Sequence, residues 1–378
     1  MTSRERVLMA LRHEEPDRVP VHDSPWVAAI ERWHREGLPV EVNPVEYFEY
    51  EMVAFGADTS PHFSVRVVEE DEEYIVETTP FGGLRRNHKD YSSTPEIIGW
   101  PCKTRDDWEQ IKERLTPDRS RVDWEGEWLA GTAEDERGKQ SILETGRAER
   151  RRGLPGWRKA YEEGRFVVYA AAFGYDKVQS YVASEQLLMA IATDPEWVVD
   201  MYETDATLSI QMYEVMKKGG YRFDGAFIFC DLGYRNGLLF SPRHYDEQLR
   251  PTFRRLVDYF HGEGLPVILH SCGCVKELVP RFIEDGLDCL QPLEQKAGMD
   301  LLELKREFGD ELAFMGGIDV RAMADPDPAV IEEEMRTKIT VAKQGGGYIY
   351  HSDHSVPDNI SFSRYKRVLE LVREYGQY

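Results

Sequence analysis

A histidine and a cysteine two positions apart, His270-Ser271-Cys272, follow the apolar run Val267-Ile268-Leu269, and a second histidine-rich segment, His351-Ser352-Asp353-His354, follows Ile349-Tyr350. Imidazole nitrogen and thiolate sulfur are donors that zinc accepts, and a catalytic zinc site uses three protein ligands with one position left open. The tight turn at 270–272 can place two donors on one side. A third must come from a distant part of the chain, and His354 is the candidate. The competing description of the first pair is a packed ring beside a buried thiol. Cys274 is a rival ligand, because a following helix would lower its pKa. Cys230 and Cys289 sit inside apolar runs and read as core thiols, and Cys102 falls in a loop.

Two carboxylates stand nearby in the pattern. Asp231 follows Phe227-Ile228-Phe229-Cys230 and can orient a ligand imidazole, stabilise charge or bind substrate; bracing its own loop is the alternative. Glu294 follows Leu290 and could serve as a reversible fourth ligand. These two are the candidate catalytic acids. His22, Gln291, Asp319 and His351, with the aromatic residues Trp26 and Tyr234, are the candidate substrate contacts. Phe173 and Tyr175 could also line a pocket, or simply pack.

The elements that must position these residues are short. Strand-like runs fall at Phe166 to Ala171, Ala226 to Cys230, Pro266 to His270, Asp288 to Leu290, Ala313 to Met315 and Tyr348 to Tyr350. Amphipathic helical segments separate them, from Ser184 to Thr193 through to Ser363 to Tyr375. Strands alternating with helices predict parallel βαβ units. With Val19 to Val21 and one more strand near the N-terminus the total is about eight, which favours a (β/α)8 TIM barrel over an open doubly wound sheet. Chemistry in such a barrel sits at the C-terminal ends of the strands, where the histidines above fall. Residues 1–378 read as a single barrel domain with an inserted irregular region over about 60–160. The insertion opens with a β-meander near 63–87 around the acidic run Glu69 to Glu73. No strand is followed by a dinucleotide or P-loop glycine motif.

Acidic residues number 69 against 47 basic ones in 378 residues, a net charge of −22. That argues against nonspecific nucleic-acid binding and against an anionic membrane surface. Five cysteines form no disulfide framework and suit a reducing compartment. No apolar stretch is long enough to span a bilayer. The expectation is a cytoplasmic protein.

Several motifs carry a family resemblance. Glu15-Pro16-Asp17-Arg18-Val19-Pro20-Val21, Ser241-Pro242-Arg243-His244-Tyr245, His270-Ser271-Cys272-Gly273, Gly316-Gly317-Ile318-Asp319 and Gly346-Gly347-Tyr348-Ile349 resemble, in order and spacing, the uroporphyrinogen decarboxylase superfamily. That resemblance implies a (β/α)8 barrel. True uroporphyrinogen decarboxylases carry an arginine-bearing segment after the first strand that binds substrate carboxylates. Here the stretch reads His22-Asp23-Ser24-Pro25-Trp26-Val27-Ala28, without arginine. A substrate with many carboxylates would be poorly neutralised there.

The chain resembles the cobalamin-dependent methyltransferase branch more closely. That branch's zinc signature is H-x-C followed by a distant cysteine. His270 and Cys272 match the first two positions, and His354 stands where the third ligand usually is. The resemblance therefore implies a zinc ion on His270, Cys272 and His354, and a corrinoid carried by a partner protein, because the chain lacks an Asp-x-His-x-x-Gly corrinoid motif. It implies methyl transfer between a corrinoid and a small methylated substrate or thiol, in the demethylating direction, by a chain that can form a homodimer. The rival readings are a metal-free decarboxylase or lyase using Asp231, and a non-catalytic barrel that binds a small ligand.

Overall fold

The short apolar runs form a ring of parallel strands in the computed structural model, which describes residues 1–89, 95–126 and 153–378. In chain order the strands are β1 (Met52–Phe55), β2 (Val67–Glu70), β3 (Tyr74–Thr78), β4 (Leu84–His88), β5 (Glu96–Gly99), β6 (Phe166–Ala172), β7 (Gly225–Phe229), β8 (Gly233–Tyr234), β9 (Gly237–Leu238), β10 (Val267–His270), β11 (Cys289–Gln291), β12 (Ala313–Met315) and β13 (Tyr348–Ile349). Seven of them form one sheet in the order β1-β6-β7-β10-β11-β12-β13. All its pairings are parallel.

The eighth position is filled by an extended segment too short to count as a regular strand. Tyr350 N–H donates to Pro20 C=O (2.9 Å) and His22 N–H to Tyr350 C=O (3.1 Å), while Glu51 N–H donates to Val21 C=O (2.8 Å). Residues 20–22 thus bridge the two edges of the sheet and complete a (β/α)8-type ring. The second N-terminal strand expected from the sequence is β1.

Strand alternation divides the apolar residues into two layers. Met52, Phe166, Val168, Phe227, Ile268, Cys289, Ala313, Met315 and Ile349 fill the ring's interior, joined by Val7, Ala10 and Leu11 of the first helix, Ser3–Leu11. That helix opens with a Thr2/Glu5 capping box and plugs the N-terminal end of the ring. The intervening positions, such as Val167, Tyr169, Ile228, Leu269 and Leu290, face outward onto the helices in a larger cluster.

The helices Ser184–Thr193 and Pro195–Lys218 have the bounds the sequence predicts. The expected single helix Pro242 to Glu263 is broken into Pro242–His244, a π-helical turn Tyr245–Leu249 and Arg250–Gly262. Pro251 explains the break: it donates no N–H, and its ring crowds the carbonyl one turn back.

Between β1 and β6 lies the excursion. β2, β3, β4 and β5 form a separate antiparallel sheet, with β2 and β5 on its edges. The acidic run turns the first hairpin, where Asp71 Oδ1 accepts from the N–H groups of Glu73 (2.8 Å) and Tyr74 (2.6 Å). Part of the region expected to be irregular, 127–152, lies outside the described residues.

Candidate metal centre at the barrel mouth

Parity selects the side chains at the mouth. Ile268 points into the ring, so His270, two residues on, points the same way; Gln291 follows Cys289 and His351 follows Ile349 by the same rule. In β10 and β11, His270 and Gln291 are direct neighbours in the register. His270 Nδ1 is hydrogen-bonded to Gln291 Oε1.

Cys272 lies on the loop after β10 and is brought beside Asp231, on the loop after β7. A Cβ on Gly273 would lie 2.3 Å from the carbonyl carbon of Gly233, and one on Gly233 2.7 Å from Cys274 N. Glycine at both positions lets the two loops meet backbone to backbone. Cys274 N–H donates to Tyr234 C=O (2.9 Å), Leu232 N–H to the Ser271 hydroxyl (3.0 Å) and Cys272 N–H to Asp231 Oδ1 (2.7 Å). Glu294 supports the far side of the loop, its Oε2 accepting from Gly273 N–H (2.7 Å).

The result is a compact donor set. His270 Nε2 lies 3.4 Å from Cys272 Sγ and 3.6 Å from Asp231 Oδ1. The ligand atoms of Asp231, His270 and Cys272 all fall within 4.8 Å of one another, a group that could hold a metal ion. The Asp231 side chain is 39% exposed and that of His270 23%, so the group opens toward solvent. Burial pushes the Cys272 thiol well up, and the carboxylates of Asp231 and Glu294 add to the rise. A cation between these groups would reverse that balance and favour the thiolate. One nitrogen, one sulfur and one carboxylate oxygen suit a borderline dication such as zinc.

His354 falls outside the group within 4.8 Å, yet near enough for His270 to act on its charge. Its ring stacks on Trp26 with centroids 6.4 Å apart. Burial and then the charge of Lys296 hold its pKa below the ordinary value, so its neutral, ligand-competent form is favoured. Cys274 also stands outside the donor group and is half-buried.

The remaining candidates take different places. Burial raises the Glu294 carboxyl, but Lys296 (2.8 Å) and Gly273 N–H outweigh it and hold the pKa below the usual range. His22 is buried at the mouth, 6.1 Å ring to ring from His351 and 5.7 Å from Tyr50. His351 Nδ1 lies 2.6 Å from Ser352 C=O, and its Nε2 is 3.4 Å from Gln291 Nε2 and 3.3 Å from Ser24 Oγ. Tyr234 is half exposed. Asp319 caps the helix Val320–Ala324 and pairs with Arg321 (2.6 Å). Phe173 and Tyr175 are buried, packed on Phe253 and Phe240. Cys230, Cys289 and Cys102 are buried thiols.

Two further residues at the mouth carry little or no signal in the sequence. Asp23 is fully buried and accepts from the hydroxyls of Tyr365 (2.9 Å), Tyr350 (3.2 Å) and Ser352. Its signal was its place beside His22 at a strand end. Lys296 supplies the positive charge that Glu294 and His354 both feel. It carried no signal, because its position depends on a 3-10 turn, Gln295–Ala297.

The uroporphyrinogen decarboxylase (URO-D) family matches residues 183–375, just over half of the chain, and the chain belongs to that family. Among solved structures it is similar to a methyltransferase from Methanosarcina mazei, at 15% identity over 99% of both chains with a TM-score of 0.61. That likeness establishes a shared fold. A protein from Listeria monocytogenes described as a vitamin-B12 independent methionine synthase is a weaker match, at 14% identity over 57% of this chain and 66% of its own, with a TM-score of 0.33. None of the curated proteins matches. Among the described residues no helix is long and apolar enough to cross a membrane.

Proposed function

We propose that this protein is a zinc-dependent methyltransferase that moves a methyl group from a small methoxy- or methylamine-type substrate to a corrinoid held by a separate protein. The observation that carries this reading is the convergence of Asp231, His270 and Cys272 on the C-terminal mouth of a barrel of this family. The fold shared with a Methanosarcina mazei methyltransferase supports it. So does the stretch His22 to Ala28, which lacks the cations a polycarboxylate substrate needs.

His270 and Cys272 would hold the zinc ion, with Asp231 or His354 completing the protein ligands. Bound zinc would supply Lewis-acid polarisation of the substrate heteroatom, and the partner's corrinoid the methyl-accepting metal. The chain's own residues do the positioning. Asp231 fixes the Cys272 backbone, and Glu294 fixes Gly273 next to it. Trp26 and Tyr234 offer aromatic surface at the mouth to orient an apolar substrate body, with His22 and His351 deeper inside.

The test pairs metal analysis with spectroscopy. The purified protein is expected to carry about one zinc per chain, in keeping with a single three-ligand site. Mixed with a reduced corrinoid protein and a methylated substrate, it is expected to convert the cobalt(I) spectrum to that of methylcobalt. A metal-free protein that decarboxylates a small acid would replace this reading with the lyase one.

A further inference from the structure

A neutral histidine can ligate a metal through Nε2 when its proton sits on Nδ1. In water the opposite tautomer predominates, so something must hold the proton in place. The hydrogen bonds across the barrel mouth trace what does so here.

Ser352 C=O can accept and never donate, and it lies 2.6 Å from His351 Nδ1. Nδ1 of His351 therefore carries a proton, and in the neutral ring Nε2 is an acceptor. That Nε2 lies 3.3 Å from the Ser24 hydroxyl, which can donate to it, and 3.4 Å from the amide nitrogen of Gln291, where an amide oxygen would set lone pair against lone pair. The Gln291 amide must then point its NH2 at His351, which turns Oε1 toward His270. An amide oxygen accepts and does not donate, so the proton on His270 belongs on Nδ1. Nε2 is left as a lone pair facing Cys272 Sγ at 3.4 Å and Asp231 Oδ1 at 3.6 Å. The Asp23 carboxylate lies 3.7 Å from His351 Nδ1, beyond hydrogen-bond distance. It already accepts from Tyr350, Tyr365 and Ser352. Gln291 and His351 are buried, so water does not compete freely for these groups.

We propose that Gln291, locked in orientation by His351, is a positioning residue that sets the tautomer of His270 and so prepares its Nε2 for a metal. By sequence both residues read as substrate contacts. This assignment gives them a task at the far side of the ligand ring instead. It rests on the reading of Asp231, His270 and Cys272 as a metal centre, while the tautomer itself exists without metal.

The experiment uses the full-length, metal-stripped protein with 15N-labelled histidine rings. Long-range 1H–15N spectra report which nitrogen of each ring bears the proton, and His270→Gln identifies the His270 signals. The wild-type protein is expected to show His270 with the proton on Nδ1. Gln291→Leu is expected to lose that tautomer and to weaken zinc binding, read by competition with a chromophoric chelator, by about 10–100-fold. Gln291→Glu keeps an acceptor for His270 and is expected to restore both. His351→Leu, which leaves both Gln291 and His270 in place, is expected to mix the His270 tautomers by freeing the amide to turn; a packing role would not produce that effect. A wild-type His270 protonated on Nε2, or a Gln291→Leu protein with unchanged tautomer and zinc affinity, would overturn the proposal. The expected tautomers in a protein that binds no zinc would overturn the metal reading instead, so the two failures are distinguishable.

Discussion

Asp231 has two tasks that pull apart on substitution. Its Oδ1 receives the Cys272 N–H, and its charge faces His270 and the thiol. Asp231→Asn keeps an oxygen acceptor for the loop while removing the charge. The fold is expected to hold, with a denaturation midpoint near that of the wild type, while zinc affinity falls by roughly 10-fold or more, as for other changes around a metal site. Equal affinities in a chelator competition would show that the carboxylate serves the loop alone. His270 and Cys272 were legible as a pair because their spacing and strand-end location are local properties. Asp231 was legible as a strand-end acid, but not as the neighbour of Cys272. That closeness depends on Gly233 and Gly273 letting two loops touch, and no local pattern encodes which glycines meet.

At the scale of elements, the periodic ones were readable. Ser184–Thr193 and Pro195–Lys218 have the bounds their apolar spacing predicts. β1 was expected without a location, because its four residues give alternation too little length to register. The helix Pro195–Lys218 also carries an acid on its buried face. Asp205 is enclosed with Tyr181, whose hydroxyl donates to it (3.1 Å), and with Lys177. Burial is the main cause that pushes its pKa from 3.8 up to about 7, and burial likewise moves Asp353 up to about 6. A carboxyl raised in the fold stays protonated there while it ionises in the unfolded chain. Its contribution is therefore complete below pH 3.8 and declines as pH rises toward 7. Denaturation midpoints measured across that window are expected to carry a downward component that Asp205→Asn reduces. An identical pH profile in the variant would contradict the assignment.

At the scale of the whole molecule, the barrel separates stability from chemistry. Its closure depends on residues 20–22, and on the buried carboxylate of Glu51, which accepts from Val21 N–H (2.9 Å), from Arg18 (2.8 Å) and from Arg6. Glu51→Ala would leave two arginines short of a partner and is expected to cost about 3 kcal/mol in urea unfolding. Zinc affinity should survive, because Glu51 precedes β1 at the opposite end from the mouth. A stability loss near zero would mean that the ring closes without this group. The net charge of −22 belongs to the chain as a whole, whereas the candidate centre depends on three side chains. The most direct test of that centre is zinc-edge X-ray absorption on the purified protein. The account requires one sulfur scatterer at about 2.3 Å among nitrogen and oxygen ligands at about 2.0–2.2 Å, with the sulfur shell lost in Cys272→Ser. A zinc shell without sulfur, or a sulfur shell that survives Cys272→Ser, would contradict it.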